Sequence, residues 1–382
     1  MSHTTPPPSR PSRPEELRCD PLLAANHFAF PGTVVDVAPF GSGNVNDTFR
    51  VECLADGQSR RFVLQRLNPA VFADPTRIMA NLRALTDHVR PRLPLRDGNR
   101  WELPQIIPCH EGNDCWQDPT GACWRALSFI EASLSIDTVS NPELAREAGR
   151  ALGIFHSLVH NLPPERLHDP LPGFHVTPTY LARYDAVAAS PARPDQSTAA
   201  LFCHRFVAER RKDAGILEEA RRRGEIRERI IHGDPKLANI LFDATTGRAI
   251  SLIDLDTVKP GLLLYDLGDC LRSCCNLSGE ETSPAEVRFD STCFIALLEG
   301  YLPWTTKFLD KSDRKLIVDA AWLITFELGL RFFTDHLEGD VYFKVRQKGH
   351  NLMRARSQFA LCKSIENQAS ALRALVARMG GG

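Results

Sequence analysis

The chain has 382 residues, 43% of them hydrophobic, and a formal net charge of −1. That length allows two or three compact units with a sizeable core. Basic residues form short clusters such as Arg221-Arg222-Arg223 rather than one long run, which argues against nucleic acid as a partner.

Eleven cysteines, an odd number scattered from Cys19 to Cys362, lack the spacing of a disulfide framework and point to a reducing, cytoplasmic setting. Cys270, Cys274 and Cys275 read as buried helical thiols rather than zinc ligands. No stretch reads as a membrane span, since even Leu316 to Leu330 carries Asp319 and Glu327.

Residues 1–18 are rich in proline, serine and arginine without an apolar core, so they read as a disordered tail rather than a signal peptide. Thr33 to Pro39, Thr48 to Leu54 and Arg61 to Leu67 have the composition of three antiparallel strands. The last two are joined by a hairpin in which Asp56-Gly57 supplies positive φ. The first two are joined by the small-residue loop Gly41-Ser42-Gly43-Asn44. A helix follows from Pro75 to Val89, then short apolar runs over 102–107 and 124–130. Composition changes near Glu131, which predicts a sheet-bearing lobe over 19–130 and a larger, mostly helical lobe over 131–382. The second lobe begins its helices at Asn141-Pro142-Glu143, with a cap, a proline at the first position and an acid in the first turn. An apolar stripe through Leu144, Ala148, Leu152 and Phe155 carries that helix to about His160. Further helices are expected over 198–223, 285–300, 313–338 and 350–378.

Two segments studded with carboxylates interrupt those helices. In His232-Gly233-Asp234-Pro235-Lys236-Leu237-Ala238-Asn239, Asp234 and Asn239 stand five positions apart, the spacing of a phosphoryl-transfer catalytic loop. Such chemistry asks for a carboxylate on the acceptor hydroxyl and an oxygen ligand for the metal that bridges the phosphates. Pro235 disfavours a helical Asp234. The second segment, Ala249 to Asp256, is an apolar strand that ends in acids, with Asp254 fifteen positions after Asn239. Mg²⁺ takes hard oxygen ligands and keeps waters, so Asn239 and Asp254 suffice as its protein share, with Asp256 a weaker candidate. Singly, each of these residues could be an ordinary turn residue. Their joint pattern carries the assignment.

Gly41-Ser42-Gly43-Asn44 suits a phosphate-covering loop, because small residues let backbone N–H groups approach a nucleotide. Taken alone it reads better as a plain hairpin turn, since it lacks a third glycine. Arg66 on the third strand is the candidate cation for the phosphates, although alternation places Gln65 and Arg66 on opposite faces.

His232-Gly233-Asp234, Asn239-Ile240-Leu241 and Ile253-Asp254 resemble the aminoglycoside phosphotransferase and choline kinase superfamily, which implies a two-lobed α+β protein-kinase-like fold and Mg²⁺-dependent use of ATP. A closer resemblance, to the N-acetylhexosamine 1-kinases, rests on six stretches: 41–48, 64–68, 255–261 (Leu255-Asp256-Thr257-Val258-Lys259-Pro260-Gly261), 331–335 (Arg331-Phe332-Phe333-Thr334-Asp335), 339–344 and 350–356. It implies phosphorylation of the anomeric hydroxyl of N-acetylglucosamine or N-acetylgalactosamine, with sugar contacts from Asp234, Thr257, Arg331 and Tyr342. It also implies ATP between the lobes, with adenine held near Ser128 to Ala132, a stretch that includes Phe129 and Glu131. Two departures stand out: Arg66 where lysine is common, and no glutamate on the 75–89 helix to pair with it.

Without the resemblance, Glu327, Arg331 and Asp335 would read as a surface ladder on one helix face. A choline or aminoglycoside kinase on the same fold would need several acids or an aromatic cage around its cationic acceptor. A nucleotide-binding scaffold without catalysis is opposed by intact Asp234, Asn239 and Asp254. The sequence leaves the oligomeric state open.

Overall fold

The computed structural model describes residues 19–41, 45–95, 98–190 and 195–379. The expected tail over 1–18 and the loop residues Ser42, Gly43 and Asn44 lie outside them. Contacts divide the chain into two units, one from residues up to 75 with 105–129, the other from 76–104 with 130 onward.

The first unit is built on strand alternation. Helix α1 (Pro21–Ala25) precedes strands β1 (Thr33–Pro39), β2 (Asp47–Ala55), β3 (Gln58–Arg66), β4 (Ile106–Ile107), β5 (Trp116–Gln117) and β6 (Cys123–Ser128). They form one sheet in the order β1-β2-β3-β6-β4, with β5 beside β6. The β2–β3 hairpin turns through Asp56 and Gly57 at φ 52° and 75°, as the Asp-Gly pair predicts. Phe62, Leu64, Trp124 and Ala126 join Phe28, Phe30, Val51 and Cys53 in the core of this unit. By the two-residue period Arg66 shares the face of Phe62 and Leu64. Gln65 takes the other face, where its Oε1 accepts from Arg125 Nε at 3.0 Å and Nη2 at 2.8 Å.

The second unit contains α2 (Pro75–Val89), β7 (Ser133–Ser135), α3 (Pro142–Val159), α4 (Thr177–Ala188), α5 (Thr198–Arg210), α6 (Ile216–Arg222), β8 (Glu228–Ile231), β9 (Ile240–Asp243), β10 (Ala249–Leu252) and β11 (Lys259–Leu262). Helices α7 (Leu263–Cys274), α8 (Ser291–Thr305), α9 (Lys311–Lys315), α10 (Ile317–Glu338) and α11 (His350–Met379) complete it. β10, β9 and β7 form a three-stranded sheet, and β11 pairs with β8. Helix α3 starts as its cap predicts, Asn141 accepting from Leu144 N at 2.9 Å. The single helix expected over 198–223 is instead α5 and α6, separated by a short 3₁₀ turn and Gly215. The helix expected over 313–338 is divided into α9 and α10.

Helix α2, grouped with the sheet in the sequence reading, packs in this second unit. Buried Asn81 fixes it there, donating to His168 O at 2.9 Å and Val258 O at 3.0 Å. Phe206, Phe326, Phe333 and Phe359 centre the core shared by α4, α5, α10 and α11. Helices α7 and α10 approach so closely that a Cβ on Gly268 would lie 2.6 Å from Ala320 O. Among the described residues no helix is long and apolar enough to cross a membrane. All eleven cysteines are free thiols.

Candidate active site

The loop between β8 and β9 carries Asp234, and side chains hold every main-chain polar group of His232, Gly233 and Asp234. Asp266 on α7 accepts from His232 N at 2.6 Å and Gly233 N at 2.8 Å. Thr257 Oγ1 donates to His232 O at 2.8 Å. His175 Nε2 lies 2.7 Å from Gly233 O. His232 Nδ1 accepts from Asp234 N at 3.3 Å, and Asn239 Nδ2 donates to Asp234 O at 2.8 Å. The ring of His232 therefore carries its hydrogen on Nε2, which faces Ile253 O at 3.0 Å. Burial lowers its pKa and keeps it neutral. Gly233 is required here, because its φ is 89° and a Cβ would meet Thr257 O at 2.7 Å.

The Asp234 side chain, 29% exposed, receives Lys236 Nζ at 2.7 Å and Asn239 Nδ2 at 3.0 Å, both on Oδ2. Burial raises the carboxyl pKa, but the Lys236 ammonium, with His232 and Arg272, outweighs it and holds the group below its ordinary value. Lys236 is held above its own by Asp234 first and Asp254 in addition, so one ammonium feels both carboxylates. Lys236 thereby favours the ionised form of Asp234.

Asp254 follows β10. Ile253 N donates to Asn239 O at 2.8 Å, which brings the end of the strand alongside the Asp234 loop. Asp254 itself lies at φ 63°, ψ 60°, a left-handed conformation uncommon for a residue with a Cβ. Both side-chain hydrogen bonds of Asn239 leave from its nitrogen, which directs the amide oxygen away from Asp234. An amide oxygen and a carboxylate are the donor set that Mg²⁺ takes alongside water and phosphate oxygens. Among the described residues no group of three or more His, Cys, Asp or Glu is placed to hold a metal ion.

Helix α10 brings Arg331 into the unit interior. Its side chain is 14% exposed and its guanidinium lies 5.2 Å from the Phe174 ring, 5.0 Å from Tyr180 and 5.6 Å from Phe343. Burial opposes its charge, and Tyr180, Glu327, Tyr342 and Asp234 together sustain it. The surface-ladder reading fails: Glu327 is 1% exposed and Asp335 3%. Spacing of four puts residues on one face without saying which face is inside. Asp335 accepts from three successive N–H groups, Val341 at 2.9 Å, Tyr342 at 2.7 Å and Phe343 at 3.0 Å, and from Asn351 Nδ2 at 2.8 Å. That anchor folds Phe343 back to Arg331, while Tyr342 stays 52% exposed.

In the first unit, Gly41 and Arg66 line one cavity of about 410 Å³ with Phe40, Asp47, Phe49 and Trp124. Arg66 pairs with Asp47 at 3.8 Å. Phe129 stacks under the Arg61 guanidinium at 4.5 Å and touches Phe40. Glu131, in the second unit, gives its carbonyl to Arg100 Nη2 at 2.7 Å, and the carbonyls of Ile130 and Ala132 accept from Ser133 Oγ and Ala244 N. Ser42, Gly43 and Asn44 remain outside the described residues.

Residues 36–303 match the phosphotransferase enzyme family, well over half of the chain. The chain belongs to that family. It is an ATP-dependent phosphotransferase acting on a small molecule. Solved structures share its fold at low identity. A microcompartment-associated aminopropanol kinase is 15% identical, with 92% of this chain and 97% of the other covered at a TM-score of 0.59. An aminoglycoside phosphotransferase from Alicyclobacillus acidocaldarius is 13% identical, with 94% and 97% covered at 0.60. A choline kinase from Cryptosporidium parvum is 14% identical, with 88% and 90% covered at 0.56. The sequence motifs of this phosphotransferase single out Asp234, Asn239 and Asp254 as candidates and assign no role to Lys236, Asp266 or His175. The motif stretch contains Lys236 itself, whereas Asp266 and His175 reach the loop from 32 or more positions away, where no local spacing announces them.

Proposed function

We propose that the protein transfers the γ-phosphoryl group of ATP to the anomeric hydroxyl of an N-acetylhexosamine, giving the sugar 1-phosphate and ADP. One observation carries the choice of acceptor: the ring-lined enclosure of Phe174, Tyr180 and Phe343 is filled by the protein's own Arg331. A cationic acceptor would meet that guanidinium in the space where an aromatic cage would otherwise receive it. A neutral sugar meets a donor instead.

In this reading Asp234 Oδ1 accepts the hydroxyl hydrogen bond and aligns the oxygen with the γ-phosphorus. The new O–P bond forms as the bond to the β-phosphate oxygen breaks, and the hydroxyl proton passes toward Asp234. An anomeric hydroxyl is more acidic than an ordinary alcohol, so a weak base suffices. Asn239 and Asp254 would hold Mg²⁺, which supplies neutralisation of the phosphate charge. Arg331, Tyr342 and Thr257 belong to the acceptor side, Thr257 through its hold on the loop carbonyl as well as by proximity to the sugar. Gly41, Arg66 and Phe129 of the first unit belong to the nucleotide side.

The test is a coupled ADP-release assay over N-acetylglucosamine, N-acetylgalactosamine, unacetylated hexosamines, hexoses, choline, ethanolamine and aminoglycosides. The position of phosphate on the product is read by phosphorus NMR. Turnover of an acetylated hexosamine at C1 is expected. Turnover confined to choline, ethanolamine or aminoglycosides would overturn the acceptor assignment.

A further inference from the structure

His175 lies 58 positions before Gly233, in the turn that precedes α4, and nothing in the proposed chemistry employs it. It is 4% exposed and adopts φ 66°, one of five non-glycine residues with positive φ among the described residues. A bulky residue held in that conformation points to surroundings that over-determine it.

We propose that His175 is a positioning residue for phosphoryl transfer: its imidazole donates from both ring nitrogens and ties the Gly233 carbonyl of the catalytic loop to the Glu327 carboxylate of α10. The argument is one of donors and acceptors. Gly233 O is a carbonyl and can only accept, so His175 Nε2, 2.7 Å away, carries a hydrogen. His175 Nδ1 lies 3.0 Å from Glu327 Oε1. Glu327 has the surroundings of an anion, with Thr177 Oγ1 donating to Oε2 at 2.9 Å and Arg331 Nη1 3.9 Å from Oε1. Nδ1 therefore carries a hydrogen too, and the ring is an imidazolium. Burial opposes that charge, but Glu327, with Asp269 on α7, outweighs it and raises the pKa. The other charged and titratable groups about the ring are Arg331 on α10, Tyr265 on α7, whose ring centroid is 5.6 Å away, and Tyr180 on α4.

Gly233 O belongs to the peptide whose nitrogen is that of Asp234. The imidazolium thus sets the plane of the peptide that bears the reacting carboxylate, and through Glu327 it joins this plane to the helix that presents Arg331. His175 touches neither nucleotide nor acceptor in this scheme, so its effect falls on turnover rather than on binding. The inference rests on the assignment of Asp234 made above.

Two measurements test it. Steady-state kinetics compare the wild type, His175→Ala, His175→Gln, Glu327→Gln and Asp234→Asn, using N-acetylglucosamine or the acceptor that the panel identifies. Imidazole nitrogen NMR on histidine-labelled protein, assigned by loss of a signal in His175→Gln, reads the ring's protonation directly. We expect kcat to fall about 100-fold in His175→Ala with KM for ATP changed less than threefold, and to recover to within tenfold of wild type in His175→Gln, which keeps one donor. Both ring nitrogens should be protonated at pH 7. Since the folded-state pKa is raised, wild-type kcat should hold at lower pH and decline as pH rises through it, and Glu327→Gln should move that decline to lower pH. A folded His175→Ala with kcat within threefold of wild type, or a singly protonated ring at pH 7, would overturn the proposal. Should His175→Ala fail to fold, His175→Gln and the NMR signal decide. Wild-type turnover in Asp234→Asn would instead sink the catalytic assignment and leave the ring's protonation to stand or fall on its own spectrum.

Discussion

Lys236 Nζ and Asp234 Oδ2 lie 2.7 Å apart, and Asn239 Nδ2 reaches the same oxygen at 3.0 Å. Two donors of the same loop thus converge on one carboxylate oxygen. Asp234→Asn should lower kcat by about 10³-fold with ATP affinity unchanged, as for a group acting in the transition state. Lys236→Met should lower kcat about 100-fold, and the double variant should lose little more than Asp234→Asn alone, because the two act as a unit. Calorimetric ATP binding beside steady-state kinetics checks both, and parallel loss of affinity and turnover in Asp234→Asn would show that its role is misassigned.

Arg331→Ala should raise the acceptor KM tenfold or more, about 1.4 kcal/mol, while KM for ATP stays within a factor of two or three. An unchanged acceptor KM would place the sugar elsewhere.

Asp335→Ala removes the acceptor of three consecutive N–H groups and of Asn351. Leaving those donors without a charged partner should destabilise the fold by about 2–4 kcal/mol, read from urea unfolding. A loss below about 0.5 kcal/mol, the range of ordinary surface substitutions, would mean that the 341–343 turn holds itself.

Cys115 offers a test in the first unit. A hydrogen bond from the Cys123 thiol holds its pKa down to about 7, against the opposing effect of burial. The thiolate is the nucleophile, so alkylation by iodoacetamide should accelerate as pH rises through about 7 and level off above it. Peptide mass spectrometry should find Cys115 modified ahead of the other thiols. Cys123→Ala should move the midpoint upward; an unmoved midpoint would assign the shift to another cause.

The parts of the site visible in the sequence were those written in local spacing. Asp234 and Asn239 share one loop, Asp254 closes the next strand, and Asn141 caps α3 through its own neighbours, so short-range chemistry reveals each. What holds the loop is non-local. Asp266 sits inside Leu263–Cys274, where an apolar run hides the carboxylate that anchors two loop amides. The buried face of α10 was equally illegible, because a four-residue period is shared by solvent ladders and by interior stripes. Only the packing of Phe174, Tyr180 and Phe343 decides between them.

The tenancy of Arg331 among those three rings has a corollary. Aromatic faces are the surroundings that quaternary ammonium compounds favour, and here the cation among them is the protein's own Arg331. Exchange of that one side chain for a small neutral one would take the positive charge from among the three rings, so the charge character of this region rests on a single position.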